Sequence, residues 1–257
     1  MTIRLPLFFR APCVRLVLLL LGLWVAPAQA SWGVGPLTMD LDLQTRSGVF
    51  NVWNSGTEEI FLQIRARRWE QDAAGKDVYT DTREIILFPL QVRLAPNEQR
   101  VVRVGYRNPA RDSEIAYRVV FEQAPPPATG AASGSAIGVS LGLAFALPVY
   151  LRPSKVLERS ELKDLKLAKG RASVTVENPG NVRFRVSKVR FVGVGEDGRE
   201  TVEKILDGWY LLAAAQRDYT VELPRELCER TRALTVEIQT EQQQRSSRIA
   251  VTADMCS

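Results

Sequence analysis

Side chains that do covalent chemistry near neutral pH are scarce in this sequence. Histidine is absent from all 257 residues, so Ser-His-Asp and Cys-His nucleophilic machinery has no base. The commonest zinc ligand is missing with it. Paired carboxylates can act as acid and base, but the acids are scattered and no pair stands out. No GxxxxGK[ST] phosphate loop occurs, so no nucleotide is implied, and the sequence calls for no metal or other cofactor. The spacing that does stand out belongs to apolar residues. In "GSAIGVSLGLAFALPVYLRP", Gly134 to Pro153, the residues Ile137, Val139, Leu141, Leu143, Phe145, Leu147 and Val149 alternate with Gly, Ser, Gly, Ala, Ala and Pro. On a strand these large side chains share one face, and the other face is nearly bare. The chemistry such a segment offers is apolar burial.

Ile137 to Val149 would span roughly 43 Å at strand rise, longer than most strands. For Phe145 to Leu151 the ordinary reading is a core strand. Ile137 to Leu143 has no obvious partner within the chain. An exposed apolar strand is an aggregation hazard, so keeping one implies a use, and strand addition to an incomplete sheet supplies it.

The rest of the chain explains what holds this strand. Arg4, Arg10 and Arg15 precede the apolar run Leu16 to Ala26, and Ala28-Gln29-Ala30 follows. That order predicts a secretory signal peptide over residues 1–30. The run is too short for a spanning helix. Without the leader's three arginines, the 34 basic residues fall to 31 against 29 acidic ones. Nothing then argues for nucleic-acid binding. Cys13 leaves with the leader, and Cys228 and Cys256 in an exported chain predict one disulfide.

The mature part predicts an all-β protein of two immunoglobulin-like sandwiches in tandem, residues 31–153 and 154–257. In the first, short β-rich runs recur at Val34–Met39, Val49–Asn54, Ile60–Trp69, Arg83–Phe88, Arg100–Tyr106, Glu114–Glu122 and Ala136–Leu151. Turn signals such as Asn54-Ser55-Gly56 and Asn108-Pro109 separate them. Arg152-Pro153-Ser154 breaks the series. A second begins at Leu162–Leu167 and ends at Ser247–Thr252, punctuated by Asn178-Pro179-Gly180-Asn181 and Glu196-Asp197-Gly198. Pro125 to Ser135 has linker composition, and Glu241 to Arg245 reads as a polar hairpin tip.

Several stretches, in this order, resemble the PapD-like periplasmic chaperones of chaperone–usher pilus assembly. They are "LFPLQVRLAPNEQRVVRVGYR" (Leu87 to Arg107), "SEIAYRVVFEQAPPP" (Ser113 to Pro127), "LPVYLRP" (Leu147 to Pro153), "VTVENPGNVRFRV" (Val174 to Val186) and "GWYLLAAAQRDYTV" (Gly208 to Val221). The resemblance covers nearly the whole mature chain. It implies a non-enzymatic chaperone with two domains and a cleft between them. The chaperone would lend its edge strand, residues 136–149, to a pilus or spore-coat-like subunit and deliver that subunit to an outer-membrane usher. Ile137, Val139, Leu141, Leu143, Phe145 and Leu147 would contact the subunit. Each buried side chain is worth about 1.5–3 kcal/mol. An idle donor strand would also allow self-association.

Two features of the family carry over unevenly. The family holds the subunit's C-terminal carboxylate with two basic residues, and the matching positions here are Thr38 and Pro148, neither of which forms an ion pair. In this, and in "LPVYLRP", the chain is similar to the archaic branch. Arg103 and Arg118, mid-strand among apolar neighbours, are substitute candidates, although such arginines are commonly just solvated. The family's cleft ion pair matches Glu114 and Arg152, with Glu237 or Glu241 as candidate partners from the second domain. The alternatives are a secreted fibre subunit or adhesin, and a secreted sugar-active or proteolytic enzyme. Against the first, Ser31 to Met39 is a short N-terminus without long alternation.

Overall fold

The computed structural model describes residues 32–107, 112–124 and 142–257. These form two immunoglobulin-like β-sandwiches in tandem. In the first, one sheet runs in the order β1 (Trp32–Gly35), β3 (Ser47–Asn54), β8 (Gln99–Tyr106), β6 (Ile85–Phe88). The facing sheet runs β2 (Met39–Leu41), β10 (Ala144–Leu151), β9 (Ile115–Ala124), β4 (Ile60–Gln71), β5 (Asp77–Asp81), with β7 (Gln91–Leu94) also pairing β4. Period-two burial sets these faces: Ile60, Leu62, Ile64 and Ala66 of β4 point inward. Phe50 of β3 meets Phe121 of β9 edge-on at 5.4 Å, joining the two sheets through the core.

The sequence predicts one opening strand, Val34–Met39. The structure splits it. β1 pairs with β3 in one sheet, and β2 pairs in parallel with the end of β10 in the other. Pro36, after a cis bond from Gly35, stands between them. It lacks the N–H a ladder would need, so the chain changes sheets there.

The second sandwich has a sheet of β11 (Glu161–Ala168), β12 (Arg171–Glu177) and β16 (Gln216–Glu222). Its other sheet orders β14 (Glu200–Asp207), β13 (Phe184–Val194), β17 (Ala233–Thr240), β18 (Gln244–Ala250), and β15 (Tyr210–Leu211) also pairs β13. One short helix, α1 (Arg225–Arg230), holds Cys228. Cys228 is bonded to Cys256 across 28 residues, and both are buried. The disulfide thus ties the C-terminus to α1 instead of to a plain loop.

Both sandwiches repeat one local device. The buried Asn54 side-chain amide donates to the carbonyls of Glu58, Leu94 and Ala95, while its oxygen accepts from the Gly56 amide. Asn178 does the same with the carbonyls of Val182, Leu211 and Leu212 and the Gly180 amide. A fully used Asn replaces a missing ladder where a strand ends.

Candidate partner-binding edge and interdomain cleft

β10 pairs with β9 along its whole length, from Ala144 opposite Glu122 to Leu151 opposite Ile115. Its other edge meets β2 only at Val149, Tyr150 and Leu151. Among the described residues, 144–148 therefore have a single strand neighbour, and no described strand pairs with their outer edge. Pro148 is the last residue before β2 begins to pair, a position that costs the sheet no needed donor.

Exposure along the apolar face changes by steps. Val149 and Leu147 are buried in the first sandwich's own core. Leu147 was expected to contact a partner; it lies between the two sheets and is not available. Phe145 is half-buried, packed edge-on against Trp32 with ring centroids 4.8 Å apart. Leu143 is 37% exposed, its carbonyl held by the Gln123 amide at 3.1 Å. Ile137, Val139 and Leu141 lie outside the described residues, and the described strand begins at Ala144, not Ala136.

The opposite face of β10 leads into the cleft. Ala144 and Ala146 are exposed and leave a shelf. Arg118 of β9 lies across it, donating to the Ala146 carbonyl at 3.3 Å. Its guanidinium stacks on Trp69 of β4, 4.0 Å from the ring centre. Trp69, Ala116, Tyr150 and, from the second sandwich, Leu212 form one buried cluster. The Trp69 indole N–H and the Tyr150 hydroxyl are buried there with no hydrogen-bond partner among the described residues. Burial raises the Tyr150 hydroxyl's pKa, opposed by the nearby guanidiniums of Arg183 and Arg118.

Arg103 is not in this region. It sits on β8 in the opposite sheet, exposed, in register with Val49 and Phe88. Strand spacing alone does not say which sheet a strand joins, and that decides against Arg103 as a cleft residue. Thr38 is exposed between β1 and β2.

The cleft ion pair also differs from expectation. Glu114 pairs with Arg183, not Arg152: Arg183 Nη1 lies 2.6 Å from Glu114 Oε2, and the Arg183 amide donates to Oε1 at 3.1 Å. With both oxygens occupied by a residue of the second sandwich, Arg152 is left out. The Arg152 amide donates to the Leu41 carbonyl at 2.8 Å, and its Nε is buried with no partner among the described residues. Arg183 also reaches Asp40 of β2 at 3.0 Å and stacks 3.3 Å over Tyr150. Burial pushes the Glu114 carboxyl above the usual range, against the pull of Arg183. Glu237 binds Arg190 on the second sandwich and takes no part.

Further contacts fix the two sandwiches against each other. The Gln71 side chain donates to the Tyr210 carbonyl at 2.9 Å and accepts from the Leu212 amide at 3.0 Å, mimicking one rung of a ladder. The Trp209 indole donates to Asp77 at 2.8 Å, and Arg217 Nε donates to the Gly75 carbonyl at 3.0 Å. Between these contacts and Glu114 lies a cavity of about 220 Å³. Sequence reasoning missed Arg183, Asp40, Gln71, Trp69 and Tyr150. Asp40 and Arg183 are 143 residues apart, and nothing local marks them as partners.

The family model for pili and flagellar-assembly chaperones, PapD N-terminal domain, matches residues 33–157. That stretch, residues 33–157, is similar to the N-terminal domain of those chaperones. Among solved structures, the class 5 fimbriae chaperone CfaA matches this chain with a TM-score of 0.58 at 16% identity, over 86% of this chain and 100% of that one. A chain of the CsuC–CsuE chaperone–tip adhesion subunit pre-assembly complex, from the archaic chaperone-usher Csu pili of Acinetobacter baumannii, matches with 0.56 at 15%, over 86% and 98%. The E. coli chaperone DraB matches with 0.52 at 15%, over 84% and 98%. At these identities the likeness is one of fold, and it extends over both sandwiches. No curated protein matches the sequence.

Proposed function

We propose that this protein is an exported chaperone that caps pilus or coat-type subunits by donor-strand complementation, working in the periplasm after loss of residues 1–30. Residues 31–153 form the donor domain and 154–257 the second domain. The observation that carries the reading is the graded release of β10 from its own core: Val149 and Leu147 buried, Phe145 half-buried, Leu143 exposed, beside an edge that β2 leaves open. The same alternation continues in sequence through Leu141, Val139 and Ile137. Those side chains, with Leu143, would fill an apolar groove on a subunit lacking a strand, and the open edge would supply backbone hydrogen bonds. A loaded subunit would then be passed to an outer-membrane usher.

Within this reading, Arg118 is the anchor for the subunit's C-terminal carboxylate. It lies beside the donor strand in the cleft, pre-oriented on Trp69, and the unpartnered Tyr150 hydroxyl is close by. Arg183 is held by two carboxylates and serves to fix the domain angle.

The test is co-expression with a pilus-type subunit from the same organism. Leu141→Asp with Leu143→Asp should leave the chaperone folded and eliminate co-purified subunit. Outright unfolding, or undiminished capture, would sink the donor assignment for these positions.

A further inference from the structure

The first sandwich has a second open edge, away from β10. β6 ends its sheet and has β8 as its single strand neighbour among the described residues. Across from it, β4 pairs with β7 up to Gln63 and with β5 from Arg67 on. Among the described residues its middle carries no strand on that side, only single bonds from the Ile64 amide to the Leu90 carbonyl and from the Thr82 amide to the Ala66 carbonyl. Between β6 and this stretch lies a groove of about 950 Å³, against Ile64, Ala66, Ile85 and Leu87 and flanked by Arg83 and Arg107. That is within the size range of formed ligand sites. Ile86 and Phe88, the outward residues of β6, are 41% and 69% exposed, and Leu90 beyond them is 57% exposed.

The charges at this edge are polarised. Ile85 stands opposite Tyr106, so Arg83 and Arg107 flank the same end of β6. Both are exposed, and neither has an ion pair among the described residues. Asp81, also on the groove, is 3.4 Å from Arg67. Charge alone is enough to guard an edge against aggregation. Guarding explains neither a groove against apolar side chains nor two free cations at one end.

We propose that this groove is a β-augmentation site for one extended segment of a protein partner, with alternating apolar side chains and carboxylates at one end. Added antiparallel to β6, the segment would turn its apolar side chains into the groove over Ile85 and Leu87. Its C-terminal end would then lie beside Arg83 and Arg107, where carboxylates are favoured. β6 is in the other sheet from β10, and in the facing sheet β9 separates β4 from β10, so a partner here and a subunit there would bind together.

Fluorescence polarisation with the labelled peptide Ser-Val-Thr-Ile-Ser-Val-Asp-Glu tests this on the mature chain. Saturable one-to-one binding is expected, at least tenfold weaker for the same peptide with Asp-Glu moved to its N-terminus. Arg83→Glu with Arg107→Glu, both exposed positions, should lose at least tenfold for the first peptide, and raised salt should weaken its binding to the unchanged protein. Amide NMR shifts should centre on β6. No binding at millimolar peptide, equal affinity for the two peptides, indifference to the charge reversal, or shifts centred on β10 would each overturn the proposal.

Discussion

Glu114 has a 2% exposed side chain and Arg183 a 19% exposed one, 2.6 Å apart. Removing Glu114 takes two hydrogen bonds from Arg183 but leaves it Asp40, so Glu114→Ala should cost about 1–3 kcal/mol in urea unfolding. The pH dependence has a definite sign. Burial raises the folded-state pKa of Glu114 above the ordinary 4.5, so between the two values the folded state holds more protons than the unfolded one. Its contribution to stability grows as pH falls through that window and is lost as pH rises through the raised pKa. Glu114→Gln should flatten the Tm–pH curve there; an unchanged curve would mean that the carboxylate titrates normally. Arg118 is a different case. Its half-buried stacking on Trp69 is worth about 1 kcal/mol, so Arg118→Ala should lower stability little while sharply weakening subunit capture. Capture at the unchanged level would remove Arg118 as anchor.

At the scale of elements, the strands were legible where alternation is clean. Ile60 to Ala66 and Ala172 to Glu177 announce themselves, because one face is core and the other is solvent. Less was legible where tertiary context decides. β14 reads as an exposed, charge-rich run and becomes a strand by pairing with β13. Short α1 carries no long apolar stripe. The alternation of large and small residues was visible, but the residue at which β10 leaves its own core depends on Trp32, 113 positions earlier, folding over Phe145. The β4–β5 hairpin makes the clearest element-level prediction. Gly75 has φ +73°, and a Cβ there would sit 2.5 Å from the Gln216 carbonyl. Gly75→Ala forces both strain and an interdomain clash, and should destabilise by more than about 1 kcal/mol. If urea unfolding finds it neutral, the hairpin does not dock as described.

For the whole molecule, two sandwiches in tandem were readable from turn punctuation, and the disulfide from the count of cysteines left once residues 1–30 are read as a leader. What joins the sandwiches was not. Glu114, Arg183, Gln71 and Asp77 are ordinary polar residues until the fold sets them against backbone groups and indoles far away in sequence. The Cys228–Cys256 bond closes a loop of separation 28, for which chain entropy gives about 3–4 kcal/mol. Reduction should lower stability by that order, and a shift below about 1 kcal/mol would mean that the second sandwich's sheets hold its C-terminus alone. Under the proposed function the cleft and the open edge together would make a platform: one sandwich would present the strand, and the other would fix the cleft beside it.

Backbone hydrogen exchange along β10, with and without a co-purified subunit, tests the central claim most directly. If the strand is shared, the edge-facing amides between Leu143 and Leu147 are exchange-labile alone and strongly protected in the complex, while Val149 to Leu151, already paired with β2, stay protected in both. A subunit complex that leaves the Leu143–Leu147 amides as labile as in the free protein would contradict the account.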